Sequence, residues 1–391
     1  MITLRKKITT VDLNHISYLV VGSGFFGATI AERIAQDLGQ RVAVIEKRDH
    51  VGGNSFTFPN PETGIECHLY GSHIFHTSSE RVWRYVGNFC NFNNYRHRVL
   101  TVFQNKTYPM PINLNTINTF YQLNLKPDEV AAFLEEKRDN ENYEHPVNLE
   151  QKAISQIGRD LYEALIRGYS LKQWGKDPNT LPAEIINRIP VRYTYLDQYF
   201  NDPWQGIPVE GFGQVIKSML HHPNIEVYLN TDFFTIQDLI PKDCQIIYSG
   251  PIDRYFDYRY GHLEWRSLSF EQKTINAPDF QGIAVMNYAE SNVPYTRIHE
   301  FKHLTPDRPT SPSQTIISIE YPKAYTTQDE PFYPVNTPAN QKIYQQYAEA
   351  SREQRQVIFG GRLGSYRYLD MDRTIENALD IYQTKIRGCQ K

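Results

Sequence analysis

Three glycines at a fixed spacing provide the first chemical signal in this sequence. Gly22, Gly24 and Gly27 form the pattern G-x-G-x-x-G, and the acidic residue Glu46 follows them. Glycines in this pattern permit a tight turn and let a pyrophosphate approach the N-terminus of a helix. An acid about 20 residues further on can accept a hydrogen bond from a ribose hydroxyl. The pattern therefore predicts a dinucleotide site.

A group of histidines is the second candidate for chemistry. His68, His73 and His76 lie within residues 67–77, without a cysteine or acidic ligand at a spacing that would complete a metal site. We therefore expect no metal. Two interpretations stay open, namely histidines that are hydrogen-bonded in a strand-to-loop region and histidines that line an active site.

The elements needed to position the glycines flank them in the sequence. The apolar run 16–21 predicts a buried parallel strand, and the stretch to about Leu38 predicts a helix. A second apolar strand at 41–45 ends at Glu46. Strand, helix, strand and terminal acid complete a β-α-β unit, which a chance match of glycines would lack.

Further glycine pairs indicate which dinucleotide is expected. Gly52 and Gly53 follow the acid, although nicotinamide dehydrogenases do not require such a pair. The strand-like segments 246–251 and 357–362 also contain glycines, and a helix is predicted from about 371 to 385. The N-terminus of that helix would stabilise a reduced, anionic flavin. Each pair alone is typical of a turn, but the four elements in this order favour FAD.

The segments between these elements predict two inserts. Residues 128–140 and 148–174 are helical in pattern, with Asn148 as N-cap, and three prolines in 176–190 predict a loop that moves. Segments within 260–320 favour short antiparallel strands. The predicted fold class is α/β, with an FAD-binding Rossmann-like domain, an inserted helical domain and an antiparallel β-sheet domain.

The length of 391 residues also suggests several domains, and we expect three. The FAD-binding domain is predicted to be discontinuous and to comprise residues 15–80, 205–255 and 345–390. The helical insert is predicted at 112–188, with its mobile loop at about 175–190. The antiparallel sheet domain, which would line a substrate cleft, is predicted at 81–111, 189–204 and 256–344.

Composition excludes several classes of protein. With 40% hydrophobic and 22% charged residues, the composition is that of a globular protein. The net charge of -3 shows no excess of positive charge that would bind nucleic acid or an anionic membrane. The four cysteines have no C-x-x-C spacing, which argues against a zinc ribbon or a disulfide framework. The sequence has no run of about 20 apolar residues and no signal-peptide pattern, so we expect a cytoplasmic protein without membrane insertion. Neither a second dinucleotide motif nor G-x-S-x-G occurs, so the cofactor must carry the reaction.

Taken together, the motifs resemble those of the bacterial UDP-galactopyranose mutase family. They follow one another in the family's order at residues 22–27, 45–54, 71–77, 168–175, 189–193, 292–300, 330–336 and 359–371. Several lie outside the generic FAD elements, which makes the resemblance specific. It implies an isomerase, an intramolecular transferase that interconverts UDP-galactopyranose and UDP-galactofuranose for cell-surface polysaccharide biosynthesis. Catalysis would be covalent, through N5 of reduced FAD, without net redox change. A homodimer is implied as well.

The resemblance also implies roles for individual residues. Arg192 and Arg297 would hold the diphosphate of the departing UDP, and His73 and His76 would lie beside the flavin. Substrate contacts are implied for Tyr169, Trp174, Trp204, Asn287, Tyr333, Tyr368 and Asp370. Cofactor contacts are implied for Gly22, Gly24, Phe26, Gly27, Glu46, Lys47, Gly53, Asn54, Gly361, Arg362, Asp370 and Met371.

Each of these residues also has a structural interpretation. Isolated arginines are more often in ion pairs than in active sites, and Arg362 could cap a helix. Tyr333 and Tyr368 could pack at a domain seam, and Trp174 could anchor a core.

Two positions depart from the family pattern. Trp204 stands where a tyrosine is common, and it is bulkier and donates one N–H; Asp372 stands where a histidine is common. These departures leave open a related nucleotide sugar, UDP-N-acetylgalactosamine or dTDP-fucopyranose, as the substrate. Two other functions also stay open, an FAD-dependent oxidase of the amine-oxidase type and a non-enzymatic binding protein of the same fold.

Overall fold

The computed structural model describes residues 11–138, 143–188 and 190–390. Some predicted features fall partly outside these ranges. They are the N-terminal segment without a signal-peptide pattern, the end of the predicted helix at Asn140, and Ile189 of the 189–193 motif.

The strands and helices of the described residues are as follows. The strands are β1 (Tyr18–Val21), β2 (Val42–Ile45), β3 (Thr57–Pro59), β4 (Glu66–His68), β5 (Phe75–Thr77), β6 (Val99–Phe103), β7 (Lys106–Met110), β8 (Trp204–Gly206), β9 (Ile225–Tyr228), β10 (Gln245–Tyr248), β11 (Trp265–Ile275), β12 (Val285–Tyr288), β13 (Arg297–Glu300), β14 (Thr315–Ala324), β15 (Tyr333–Pro334) and β16 (Val357–Phe359). The α-helices are α1 (Phe25–Leu38), α2 (Glu80–Gly87), α3 (Leu114–Tyr121), α4 (Pro127–Arg138), α5 (Leu149–Leu161), α6 (Gly168–Trp174), α7 (Phe212–Met219), α8 (Ile252–Tyr255), α9 (Pro338–Arg352), α10 (Gly361–Gly364) and α11 (Met371–Ile381).

A parallel sheet forms the base of the dinucleotide-binding part. Its strand order is β16-β10-β1-β2-β9, and β2 is buried at every position. Continuous apolar strands are expected where both faces of a parallel sheet are covered. The strand order reverses at β1, because β2 lies on one side of it and β10 on the other. A crevice for a ligand is expected at the carboxyl ends of the strands at such a point. The predicted Rossmann-like architecture is confirmed.

A second sheet has the order β15-β11-β14-β13-β12-β6-β7. Its neighbours run antiparallel, as predicted, except that β6 and β12 run parallel. The strands predicted to be short in 260–320 are wrong in length, since β11 has 11 residues and β14 has 10. These two strands pair along Arg266–Ile275 and therefore support each other.

The helical insert contains α3, α4, α5 and α6. Asn148 caps α5, because its side chain accepts a hydrogen bond of 2.9 Å from Gln151 N. The helix predicted over 148–174 is not continuous. Gly158 has a φ of 78°, and a π-helical turn at Tyr162–Arg167 separates α5 from α6. A side chain at Gly158 would crowd Lys137 at the end of α4, with its Cβ 3.1 Å from the Lys137 Cβ.

The domain division stays a proposal, and α9 runs through its boundary at residue 345. Among the residues that the structure describes, no helix is both long enough and apolar enough to cross a bilayer.

Candidate active site

A cleft opens at the carboxyl ends of β1, β2 and β10. It contains about 1410 Å³ of space, counting its open mouth. The structure brings most of the predicted cofactor residues to its walls, and these are Gly22, Gly24, Phe26, Glu46, Lys47, Gly53, Asn54, Gly361, Arg362 and Met371, with His73 beside them. Four separate parts of the sequence therefore meet around one elongated space.

The glycines of the first turn make room that a side chain would remove. Gly22 has a φ of 97°, and a Cβ there would overlap Ser249 Oγ. A Cβ on Gly53 would lie 3.2 Å from Gly24 Cα, so the two glycine motifs touch. Gly27 is not one of the residues that line the cleft; a Cβ there would overlap Gly22 O and crowd Val20, so this glycine allows the close packing of α1 on β1. The turn leaves the first N–H groups of α1 for a phosphate, so this cradle fits a dinucleotide.

Glu46 is buried at the end of β2, and its carboxylate is held by two backbone N–H groups and one hydroxyl. Oε2 accepts from Ser23 N at 3.0 Å and from Ser23 Oγ at 2.7 Å, and Oε1 accepts from Arg48 N at 3.2 Å. These bonds aim the carboxylate at the glycine turn, where it also lines the cleft. This arrangement fits the predicted acceptor for a ribose hydroxyl.

Arg48 is a cleft residue that sequence reasoning missed. Its Nη2 donates at 2.7 Å to both Asn54 Oδ1 and Glu330 Oε2, and its guanidinium lies 4.4 Å from the centre of the Tyr70 ring. Within the described residues its buried Nη1 has no hydrogen-bond partner. An unpaired charged donor in the wall of a cleft fits a polar or anionic ligand. The position directly after Lys47 was a signal, but the contact with Glu330 was not visible in the sequence.

Arg362 joins the cleft to the aromatic residues near it. Nη2 donates to Leu369 O at 2.6 Å and Nη1 to Phe332 O at 3.2 Å, so its described hydrogen bonds go to backbone carbonyls and not to the ion pair of a helix cap. The guanidinium lies 4.7 Å from the centre of the Tyr368 ring. Asp370 is the N-cap residue of α11, which begins at Met371 in the cleft wall.

A row of polar side chains crosses the second sheet. Asn287 on β12 is directly opposite Arg297 on β13, which is opposite Glu320 on β14, so the three share one face. Arg297 donates to Glu320 Oε1 from Nε at 2.9 Å and from Nη2 at 2.8 Å. This leaves the Nη1 side of the guanidinium for a ligand. Asn287 Oδ1 is buried, and no described residue donates to it.

The Arg297–Glu320 pair stays charged. Burial raises the pKa of the Glu320 carboxyl, but the charge of Arg297 and the hydrogen bonds from His299 and Arg297 outweigh it and lower the pKa to about 2. Burial lowers the pKa of Arg297, and the Glu320 carboxylate more than reverses that effect. The buried carboxylate therefore holds the guanidinium in one position.

His73 lies in the cleft wall as a neutral ring. Burial is the main reason that its pKa falls to about 4, and the positive charges of Arg362 and Arg297 lower it further. His73 Nδ1 lies 2.6 Å from Gly71 O, and a carbonyl can only accept, so Nδ1 carries the proton and Nε2 is left as an acceptor. His68 lies next to His73, and its Nδ1 accepts from His73 N at 3.0 Å.

Four predicted aromatic residues gather near Arg297. The Tyr333 ring lies 5.7 Å from Tyr368 and 6.3 Å from Trp174. Burial raises the pKa of Tyr333 to about 12, although Arg297 opposes the shift. Burial also raises the pKa of Tyr169, and Arg297 again opposes it. Both phenols therefore stay protonated and can donate hydrogen bonds.

Arg192 belongs to a second group of residues. Its Nη1 donates to Leu196 O at 3.2 Å and also to Gln198 O, and its Nη2 donates to Asn201 Oδ1 at 2.6 Å. These described bonds hold the 196–201 segment. The structure therefore places Arg192 in contact with that segment and not in the row of Arg297.

His76 lies under the same segment. Its ring stacks on Phe200 with centroids 3.6 Å apart, and its Nδ1 lies 2.7 Å from Asp202 Oδ2. On the strand pair β5–β8, Trp204 is opposite Thr77, whose hydroxyl donates to Asp372 at 3.1 Å. The two positions that depart from the family pattern thus lie on either side of Thr77.

His97, which sequence reasoning also missed, joins the two groups. Its ring lies 5.7 Å from Phe200. Burial lowers its pKa to about 3, and Arg297 on one side and His76 on the other lower it further. A single histidine in the run NNYRHRVL carried no signal in the sequence.

Comparisons with known proteins bear on the family of this chain. A profile of the UDP-galactopyranose mutase family matches residues 164–368, and one of NAD(P)-binding Rossmann-like domains matches residues 20–89. A probable UDP-galactopyranose mutase of Klebsiella pneumoniae is 40% identical over 371 residues, which are 94% of this chain and 94% of that protein. The chain belongs to the UDP-galactopyranose mutase family. The resemblance found in the motifs is confirmed, and with it the prediction of an enzyme that is an isomerase.

A second relative and a solved structure are also similar to this chain. A dTDP-fucopyranose mutase of Escherichia coli is 38% identical over 374 residues, which are 95% of this chain and 98% of that protein. Among solved structures, a reduced UDP-galactopyranose mutase matches with a TM-score of 0.73 and 13% identity over 96% of both chains. At that identity the match shows the fold alone. The family and the Rossmann-like domain together indicate a flavin cofactor.

Proposed function

We propose that this protein interconverts UDP-galactopyranose and UDP-galactofuranose with reduced FAD as its cofactor. One observation carries the proposal. The guanidinium of Arg297 is held by the buried Glu320, and its charge acts on His73, which lies in the wall of the dinucleotide cleft. A cation for a diphosphate thus adjoins the place where a flavin ring would end.

The walls of the cleft supply contacts for each part of FAD. The turn at Gly22 and the N-terminus of α1 would bind the pyrophosphate, and Glu46 would accept from a ribose hydroxyl. Arg48 would donate from its unpaired Nη1. The first turn of α11, at Met371, would face the pyrimidine end of the ring. When bound, reduced FAD would supply a nucleophilic nitrogen for the anomeric carbon of the sugar.

Departure of UDP is the step in which the protein's own groups act on charge. Arg297 would stabilise the negative charge that grows on the diphosphate, since its Nη1 side is not used by Glu320. Tyr333 and Tyr368 would donate hydrogen bonds to the same oxygens. Because Glu320 fixes the guanidinium in advance, little reorganisation is needed when the charge develops.

His73 and Asn287 would orient the sugar and the flavin as acceptors. His73 offers Nε2 because its Nδ1–H donates to Gly71 O. Asn287 offers the buried Oδ1, which is without a partner in the described part of the chain. A hydroxyl of the substrate would remove the cost of leaving that oxygen unpaired.

A second substrate is favoured by two observations. The Escherichia coli relative that is 38% identical bears the name dTDP-fucopyranose mutase. Trp204, one of the two residues that depart from the family pattern, lies on the strand that pairs with the strand of His76. dTDP-fucopyranose is therefore the alternative substrate, with UDP-N-acetylgalactosamine as a further member of the test panel.

The test is product analysis with a panel of nucleotide sugars. The purified protein, with its flavin identified by absorbance and mass, is reduced with dithionite and incubated with UDP-galactopyranose, UDP-N-acetylgalactosamine or dTDP-fucopyranose. We expect the furanose form of UDP-galactose by NMR, and little conversion by the oxidised enzyme. Conversion of the fucose compound alone would replace the proposed substrate. A colourless protein, or oxygen consumption that depends on substrate, would contradict the proposed reaction.

A further inference from the structure

Lys172 connects the α6 helix to the second sheet. Its ammonium donates to Tyr288 O and to Tyr295 O, both at 2.8 Å. Tyr288 directly follows Asn287 at the end of β12, and Tyr295 lies two residues before Arg297. One side chain therefore bridges the helix and both ends of the connection between β12 and β13.

Two further contacts hold the same helix. Arg266 on β11 donates from Nε to Gln173 O at 2.9 Å and from Nη2 to Lys172 O at 3.2 Å. Arg266 is paired in register with Tyr333 on β15. At the other end of α6, a Cβ on Gly168 would overlap Ala289 O. The helix is thus in close contact with the strands that carry the proposed diphosphate contacts.

The bonds of Lys172 are strong ones for a partly buried group. An ammonium taken from water must regain its hydrogen bonds, and carbonyl oxygens are good acceptors for a charged donor. Burial lowers the pKa of Lys172 to about 8, and the Glu290 carboxylate opposes the shift. The ammonium is therefore the main form at neutral pH.

We propose that Lys172 is a positioning residue for the substrate. It holds Tyr169 and Trp174 of α6 at a set distance from Asn287 and Arg297 on the sheet, so that both sides of the site bind one nucleotide sugar as a rigid unit. The inference rests on the proposed function, because those four residues are the proposed substrate contacts.

The experiment compares two substitutions of Lys172 with one control. Lys172→Met keeps an unbranched, apolar side chain of nearly the same length and removes the ammonium. We expect its KM to rise about tenfold, which is the order expected for losing hydrogen bonds of a charged donor, with kcat changed by less than about threefold. Flavin content should be unchanged, since the cleft walls contain no residue of α6. Lys172→Arg, which keeps charge and donors, should recover most of the affinity.

Lys273→Met is the matched control. Lys273 lies on β11, and its ammonium forms an ion pair with Glu271 at 2.8 Å on the surface of the sheet. The control should keep the wild-type KM. A wild-type KM in a folded, flavin-bound Lys172→Met variant would overturn the proposal. A rise in KM that is accompanied by a fall in both kcat and flavin content would also overturn it. If the methionine variant does not fold, Lys172→Gln, which keeps one donor, must show a KM above wild type or the proposal fails.

Nucleotide binding separates this proposal from the proposed function. The Kd for UDP, or for dTDP, is measured by calorimetry for the wild type and for Lys172→Met without turnover. We expect about tenfold weaker binding in the variant, while equal Kd values would reject the role of Lys172. If the wild type binds the nucleotide but converts no sugar, the proposed function is rejected. In that case the two Kd values alone decide whether Lys172 has the proposed role.

Discussion

At the scale of single residues, the decisive feature is the guanidinium of Arg297, which a buried carboxylate, Glu320, holds in place. Arg297 has 26% of its side chain exposed, whereas Glu320 has 1%. The carboxylate thus lies inside the protein and the guanidinium reaches outward from it. Charge on a ligand would meet a group whose position is already set, which is the condition for electrostatic stabilisation of a departing diphosphate.

Arg297→Lys tests this arrangement. Lysine keeps the positive charge that Glu320 needs but loses the planar fork, so kcat/KM should fall by about 10²- to 10³-fold. The flavin should stay bound, because Arg297 is not in the walls of the cleft. Steady-state kinetics and flavin absorbance measure both quantities.

The control for this substitution is Arg98→Lys. Arg98 has 60% of its side chain exposed in an ion pair with Asp197, and the change should leave kcat/KM within about twofold. Near-normal turnover in Arg297→Lys would remove the proposed role. Arg297→Ala is less informative, since an unpaired buried carboxylate would also cost about 3–5 kcal/mol of stability.

At the scale of elements, the end of α6 is where local conformation and the site meet. Gly175 ends the helix with a φ of 64°, and a Cβ there would lie 2.7 Å from Arg266 Nη1. Gly39 ends α1 with a φ of 62°, and a Cβ there would have no atom within 4 Å. The two glycines share a left-handed conformation but differ in their surroundings, so they form a matched pair.

Gly175→Ala should cost more stability than Gly39→Ala. Both alanines would incur the left-handed penalty of about 1–2 kcal/mol. Only Gly175→Ala would also push Arg266 away from the carbonyls of α6, which adds about 1 kcal/mol and should raise KM for the nucleotide sugar. Urea denaturation and kinetics compare the two variants. Equal losses of stability with an unchanged KM would mean that Arg266 moves aside without consequence.

At the scale of the whole molecule, burial keeps several histidines neutral. His68 and His97 are buried, and burial is the main cause that lowers the pKa of both, to about 3 for His97 and well below the usual value for His68. His73, with its pKa of about 4, lies in the cleft wall, and its ring stacks on that of His68. The folded protein therefore keeps all three of these bases unprotonated at neutral pH.

Stability should consequently fall on acidification below pH 6.5. Between that pH and the folded pKa values of about 4 and 3, the unfolded chain binds more protons than the folded chain, so acid favours unfolding. Each of these histidines contributes up to about 1.4 kcal/mol per pH unit. Urea midpoints at pH 7 and pH 5.5 measure the effect.

His97→Gln provides the control for the pH dependence. Removing this base should make the difference between the two midpoints smaller, by less than about a third, because His50 and His299 also have lowered pKa values and contribute to the remaining difference. The measurements stop at pH 5.5 because burial raises the pKa of Glu66 and of Asp372. In more acid solution these two carboxyls bind protons more readily in the folded chain than in the unfolded chain, which stabilises the folded protein and opposes the effect of the histidines. Identical midpoints at the two pH values would contradict the prediction.

The sequence was sufficient to predict those elements whose pattern lies within one short segment. The first β-α-β unit could be predicted because β1, α1 and β2 follow one another within residues 18–45 and each has its own periodicity. The break between α5 and α6 could not be predicted, because Gly158 departs from the helix where α5 approaches Lys137 of another helix. The parallel pairing of β6 with β12 joins strands almost 190 residues apart, and no local pattern encodes it.

The candidate site divides in the same way. Glycine spacing, the acid at Glu46 and the family motifs are properties of the chain itself, and they determined the dinucleotide site, the fold class and the family. The partners of the charged groups are not properties of a segment. Arg48 meets Glu330 and Arg297 meets Glu320 only after folding. Tertiary structure decided these contacts, since the energy of a charge depends on burial and on neighbours that are distant along the chain.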